Sequence, residues 1–70
     1  MLSEYMIHRH NLLDEPTLHR ESEDWRDALS QAAVILRDSP DSDVLITLRL
    51  GVTFRFRTLA EVCCANEWSL

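Results

Sequence analysis

The sequence predicts a small α+β domain of order β-α-β-β-α, with two helices packed on one face of a three-stranded antiparallel sheet. Three observations carry this expectation. Residues 43–58 (DVLITLRLGVTFRFRT) alternate apolar and polar side chains on both sides of Gly51, the only glycine. Such period-2 alternation makes one sheet face apolar and the other polar. Residues 22–37 (SEDWRDALSQAAVILR) repeat apolar positions at three- and four-residue spacing, as an amphipathic helix does. Residues 58–61 (TLAE) have the T-x-x-E spacing of a capping box, which starts a second helix.

Taken in order, residues 4–11 (EYMIHRHN) admit two readings. As a strand they place Tyr5, Ile7 and Arg9 on one face and Met6, His8 and His10 on the other. As a helix they give only a broken stripe of Leu2, Met6 and Leu13 flanked by Tyr5 and Leu12. A lone hairpin with helices buries little surface, so a third strand is the favoured reading. Asp14-Glu15-Pro16-Thr17 reads as a turn, because Pro16 lacks the donor that would continue either element. Ser22 is the expected N-cap of the long helix, with Glu23 and Asp24 in its first turn, where the helix dipole favours acids. Trp25, Ala28, Leu29, Ala32, Ala33, Ile35 and Leu36 form its buried stripe, Arg37 suits its C-terminal end, and Ser39-Pro40 stops it. Asp38 to Asp43 form an acidic loop.

Within the hairpin, Val44, Ile46, Leu48, Phe54 and Phe56 belong to the core face. A three-residue loop Leu50-Gly51-Val52 keeps the faces aligned and pairs Arg49 with Thr53, Leu48 with Phe54 and Ile46 with Phe56. A two-residue Leu50-Gly51 turn would put Arg49 on the core side, although three-residue loops usually carry their glycine last. After Thr58, a short helix to about Asn66 is expected to bury Leu59, Val62 and Cys63. The chain closes on an apolar tail, Trp68-Ser69-Leu70.

Composition limits the function. Seventy residues make one domain, residues 1–70, close to the size at which a single core supplies only a few kcal/mol. The 46% apolar and 27% charged fractions are those of a folded chain, not of a disordered tail. No apolar run could span a bilayer and no signal-like segment opens the chain, so a cytoplasmic protein is expected. The adjacent Cys63 and Cys64 cannot staple a fold, which fits a reducing compartment. A net charge of −5 argues against direct binding to nucleic acid. Residues 1–43 hold ten acids against four arginines, while residues 44–70 hold three arginines against two glutamates. There is no lysine, and arginine forks suit carboxylate-bearing interfaces.

No chemistry is expected. His8, His10, His19, Cys63 and Cys64 lack the spacing that converges ligands on one zinc ion, so no metal or other cofactor is assigned. A thiolate at Cys64 would need a base and a pocket that nothing in the sequence marks, so no catalytic residue and no enzyme activity are assigned. One glycine cannot make a phosphate-cradling loop. What remains is recognition. Arg49, Arg55 and Arg57, interleaved with Thr47 and Thr53, would form a cationic patch on the outer hairpin face. Glu23, Asp24 and Asp27 on the helix, or Asp38, Asp41 and Asp43 in the loop, would form acidic patches suited to a basic, nucleic-acid-handling partner.

Two resemblances sharpen the expectation. The segment TLAEVCCANEWS (residues 58–69) resembles the first helix and turn of bacterial helix-turn-helix domains, which implies a DNA-linked regulator. The recognition helix that would follow has no counterpart before Leu70, so a packing role for this helix is the simpler expectation. In size, acidity and element order the chain looks like the small inhibitors of phages and mobile elements, including anti-CRISPR proteins. That resemblance implies binding to a CRISPR effector and blocking its recognition of DNA. A homo-oligomeric accessory subunit, formed as a homodimer through the hairpin edge or the Trp68 tail, is the alternative.

Overall fold

Asp24, not Ser22, begins the long helix. The computed structural model describes residues 4–11 and 13–68, and in it Asp24 has extended backbone angles and accepts the Asp27 amide through its carboxylate at 3.1 Å. This is the N-cap arrangement, and it sets α1 at Trp25–Asp38. Ser22 closes a strand that the sequence pattern did not announce. Six elements follow one another: β1 (Tyr5–His10), β2 (Thr17–Ser22), α1, β3 (Asp43–Leu48), β4 (Thr53–Phe56) and α2 (Leu59–Ala65). The expected three-stranded β-α-β-β-α order is therefore corrected to β-β-α-β-β-α, with four strands. All pairings are antiparallel, in the spatial order β2-β1-β3-β4.

β1 is a strand, as favoured, and it lies inside the sheet rather than at its edge. Ile7 faces Ile46 on β3, and both side chains are fully buried. The strand missed in the sequence, β2, alternates nothing apolar; all of it except Ser22 is exposed. Its pairing with β1 slips at Ile7/His8, where His8 meets Leu18 and Ile7 meets Arg20. An edge strand buries little of its own surface, so hydrophobic periodicity has nothing to mark it with.

The hairpin has the expected faces but a different register. Val44 pairs with Phe56, Ile46 with Phe54 and Thr47 with Thr53. The loop is Arg49-Leu50-Gly51, closed by Leu48 N–H to Val52 C=O at 2.7 Å and Gly51 N–H to Leu48 C=O at 2.8 Å. Gly51 has φ +99°, the left-handed region that a non-glycine residue rarely enters. The glycine therefore selects the loop in which it stands last, and Arg49 moves from the ladder into the turn. The slip is two residues, so no side chain changes face.

Both helices cover the same face. Trp25, Ala28, Leu29, Ala32, Ile35 and Leu36 of α1 join Ile7, Val44, Ile46, Phe56 and the α2 residues Val62 and Ala65 in one core. Trp25 is its hub. Its ring lies 5.5 Å from Tyr5, 5.8 Å from Phe54 and 6.5 Å from Phe56, and Trp68 stacks on it at 6.2 Å with a 17° interplanar angle. The Trp25 indole N–H donates to the Ala65 carbonyl at 3.1 Å, an end-of-helix acceptor that also takes the Trp68 amide at 3.0 Å.

The capping box that starts α2 forms as the spacing requires. Thr58 Oγ1 accepts the Glu61 amide at 3.2 Å, and Glu61 Oε1 accepts the Thr58 amide at 3.1 Å. The buried stripe of α2 differs from expectation: Val62 and Ala65 are inside, while Leu59 and Cys63 are exposed. Leu59 instead lines a shallow groove with Leu36, Pro40, Arg57 and Thr58. The i, i+3 pair that faces α1 and Trp25 decides the helix rotation, and Leu59 stands outside that line. Of the expected apolar tail, Trp68 is described; Ser69 and Leu70 lie outside the described residues, as do Leu2 and Leu12.

Candidate functional site, an uncovered sheet face

Antiparallel sheets can leave one face to solvent, and here the face opposite the helices has no covering element among the described residues. The register lays its side chains out in rows. Leu18, His8, Leu45 and Arg55 form one row across all four strands, and Glu21, Met6, Thr47 and Thr53 form the next. Thr47 and Thr53 hydroxyls lie 3.0 Å apart, a cross-strand polar pair. His10 and Asp43 are opposite each other at the far end.

The structure brings Arg55 and Arg57 together and leaves Arg49 apart. Asp43 Oδ2 lies 3.7 Å from the Nε of each of the two guanidiniums. The carboxylate is 18% exposed, and the arginine side chains are 46% and 66% exposed. Pairs this open and this long contribute at most about 1 kcal/mol each. Their consequence is one of sharing: Asp43 serves two cations at once, while the other carboxylate at this corner, Glu61, is held by the Arg57 and Thr58 amides. The expected acidic loop is shorter than Asp38 to Asp43, because Asp38 ends α1 and Asp43 begins β3, and it is Asp43, from the strand, that meets the arginines. Arg49 is exposed in the hairpin loop.

Of the expected acidic trio, Asp24 and Asp27 are drawn into structural work and only Asp27 lies within α1. Asp24 is the N-cap. Asp27 Oδ2 accepts the Ser22 hydroxyl at 2.7 Å and the Gln31 amide at 2.8 Å. These two hydrogen bonds, with Arg20 nearby, hold the Asp27 carboxyl below the ordinary aspartate range. Glu23 is exposed and precedes the helix. Ser22, expected as a cap, bridges the end of β2 to the first turn of α1: its oxygen accepts the Asp24 amide at 3.2 Å while its proton serves Asp27.

His8 and His10 project from the open face and His19 from the β2 edge, far in sequence from the exposed Cys63 and Cys64 on α2. Among the described residues, no three His, Cys, Asp or Glu side chains converge as a metal site would require. No described helix is long and apolar enough to cross a membrane.

Sequence reasoning missed a second concave feature. Phe56, Ala60, Cys64 and Trp68 line a groove of about 260 Å³ between β4 and α2, with Arg55 and Glu61 on its rim. The spacing Ala60–Cys64–Trp68 is i, i+4, i+8, so the stripe was present in the sequence, but only the rotation of α2 turns it toward the sheet edge. No protein-family model matches the chain, nor does any curated protein or solved structure.

Proposed function

We propose that the chain is a non-enzymatic protein-binding module whose working surface is the uncovered sheet face, centred on Arg55 and Arg57. The observation that carries this reading is the pairing of Arg55 and Arg57 at one shared carboxylate, that of Asp43, on a bare sheet face of a molecule with net charge −5. Leu45, paired with Arg55, supplies adjacent apolar contact area that Met6 and, at the far edge, Leu18 extend across the same face, and arginine next to apolar surface is the composition of interface centres.

The narrower form of the proposal is an inhibitor, of the anti-CRISPR type, that binds a nucleic-acid-handling complex and blocks its recognition of DNA. Its support is the acidic remainder of the surface, including Glu15, Glu21, Glu23, Asp38 and Asp41, which are exposed. Such a surface is attracted to the basic grooves in which other proteins hold phosphates. The partner is then a protein, with no direct contact to nucleic acid.

Affinity purification of the tagged chain from its host, with mass spectrometry of what is retained, tests both levels. A nuclease or guide-RNA complex is expected; DNA alone would reject the proposal, and self-association alone would replace it by the oligomeric-subunit reading. Arg55→Glu should leave folding stability within about 0.5 kcal/mol and weaken capture by about 2 kcal/mol, since attraction becomes repulsion. Glu23→Lys is the matching probe of the acidic surface, chosen because Glu23, unlike Asp24 and Asp27, holds no cap. Capture lost with Glu23→Lys and kept with Arg55→Glu would move the working surface to the helix side.

A further inference from the structure

β4 is an edge strand with a groove beside it. In an antiparallel ladder, hydrogen-bonded and non-bonded pairs alternate. The bonds that close the hairpin at Leu48 and Val52 make Ile46–Phe54 and Val44–Phe56 the bonded pairs. The main-chain N–H and C=O of Thr53 and Arg55 therefore point away from β3, toward the open edge. Among the described residues, no backbone hydrogen bond from beyond the sheet reaches either of them. The next outward amide, that of Arg57, is already taken by Glu61 Oε1 at 3.0 Å. Directly alongside lies the groove floored by Phe56 and walled by Ala60, Cys64 and Trp68.

We propose that this groove receives an extended segment of a partner protein, which joins the four-stranded sheet beside β4 and alternates apolar with acidic side chains. A segment paired with Thr53 and Arg55 gains main-chain hydrogen bonds that are otherwise made only with water, the mode in which strands add to exposed sheet edges. Parity dictates its pattern. Side chains on the helix side of the added strand fall onto Phe56, Ala60, Cys64 and Trp68, and so are apolar. Those on the opposite side lie beside Arg55 and Arg57, whose two guanidiniums share one carboxylate, and so are acidic. Glu61 keeps its negative charge on the groove rim, but its Oε1 is held by the Arg57 and Thr58 amides, and the ion pairs of the two guanidiniums run to Asp43.

A second copy of this chain fits poorly. Its own β4 would bring Arg55 and Arg57 against the same two residues, and its apolar alternates, Phe54 and Phe56, are already committed to their own core. The inference rests on the protein-binding reading but places the contact at an edge rather than on the sheet face.

The test presents the whole protein to a displayed library of random short peptides, then measures the enriched consensus, synthesised with a fluorophore, by anisotropy. The consensus should alternate apolar and acidic residues. Thr53→Ala should bind it as wild type does. Thr53→Pro removes the same side-chain hydroxyl and also the outward N–H, and should weaken binding about tenfold. Cys64→Arg, an exposed helix position that fills the groove, should weaken it at least as much and decides the matter if Thr53→Pro does not fold. His8→Glu, two strands away on the open face, should leave peptide binding unchanged. The proposal is overturned by no enrichment, by a consensus without the alternation, or by unchanged binding in Cys64→Arg. It is equally overturned by concentration-dependent dimers that Thr53→Pro abolishes, which would assign the edge to a second copy. A host partner that is lost with His8→Glu yet kept with Cys64→Arg would end the groove proposal while leaving the sheet-face reading in place.

Discussion

β2 and β4 both end the sheet, yet they guard their free edges by different means. β2 runs six residues, carries His19, Arg20 and Glu21 in succession, follows Pro16, and slips register against β1 at Ile7/His8. Charge, proline and irregular pairing are the devices that stop one edge strand from templating another. β4 runs only four residues, sends Phe54 and Phe56 inward, and is flanked by α2 and the Trp68 ring. Its protection is shortness and a neighbouring helix, and the helix stands off far enough to leave a groove. The difference separates an edge that repels strands from one that would admit a strand of the right pattern.

The comparison can be broken most severely at Trp25, which holds the β4–α2 side against the β1–β3 centre. Trp25→Ala removes four aromatic contacts and the indole hydrogen bond. A loss of about 3–5 kcal/mol is expected, enough to abolish a cooperative thermal transition in a domain of this size. A retained transition near the wild-type temperature would show that α2 and β4 dock without it.

Trp68→Ala should act next, and only on the β4 side. The ring is 43% exposed but stacks on Trp25 and leans on Phe54 and Phe56. About 1–2 kcal/mol should be lost in urea titrations, and amide exchange should quicken in α2 and β4 before β1 and β2. Equal quickening throughout would mean that the two edges belong to one cooperative unit.

Thr58→Ala removes the cap that fixes where α2 leaves β4, and should cost about 1 kcal/mol, read as a lowered Tm. On the other side, Asp27 ties the end of β2 to α1 through Ser22. Its carboxyl sits below the ordinary aspartate range in the folded chain, chiefly through the Ser22 hydrogen bond and then that of Gln31. The sign follows by linkage. The contribution is present in full above the unfolded aspartate range and is lost as pH falls through the depressed folded value. Asp27→Asn should therefore lower stability at neutral pH and flatten the acid limb of a stability–pH curve; a limb of unchanged slope would place the acid sensitivity elsewhere.

Leu18→Lys is the smallest expected change. Leu18 is 51% exposed on the β2 edge, so stability should move by no more than about 0.5 kcal/mol. A larger loss would mean that the β2 edge is held by its outer-face packing rather than by its main-chain bonds to β1.

Much of the architecture was legible residue by residue, because its signals are local. The stripe from Trp25 to Leu36, the T-x-x-E box at Thr58 and Glu61, and the alternation through Val44, Ile46, Phe54 and Phe56 each depend on neighbours within one turn or one strand pair. These determine by themselves that two helices and a hairpin form and which side chains of α1 and the hairpin face inward; the inward face of α2 they did not determine. Tertiary structure alone decided the rest. β2 exists because the main chain of β1 offers it hydrogen bonds, and a strand held by backbone pairing leaves no mark in its side chains. Arg55 and Arg57 meet at Asp43, whereas Arg49 stands beyond the other end of β3, about 20 Å away along the strand, in the turn that the positive φ of Gly51 sets. Asp24 and Asp27 serve the cap rather than a free acidic patch because β2 brings Ser22 to them. The stripe Ala60–Cys64–Trp68 becomes a groove only when Val62 and Ala65 dock against α1 and rotate it toward β4. Periodicity determines which face of each element is apolar; what that face meets, and which edges stay open, depends on contacts between residues far apart in the chain.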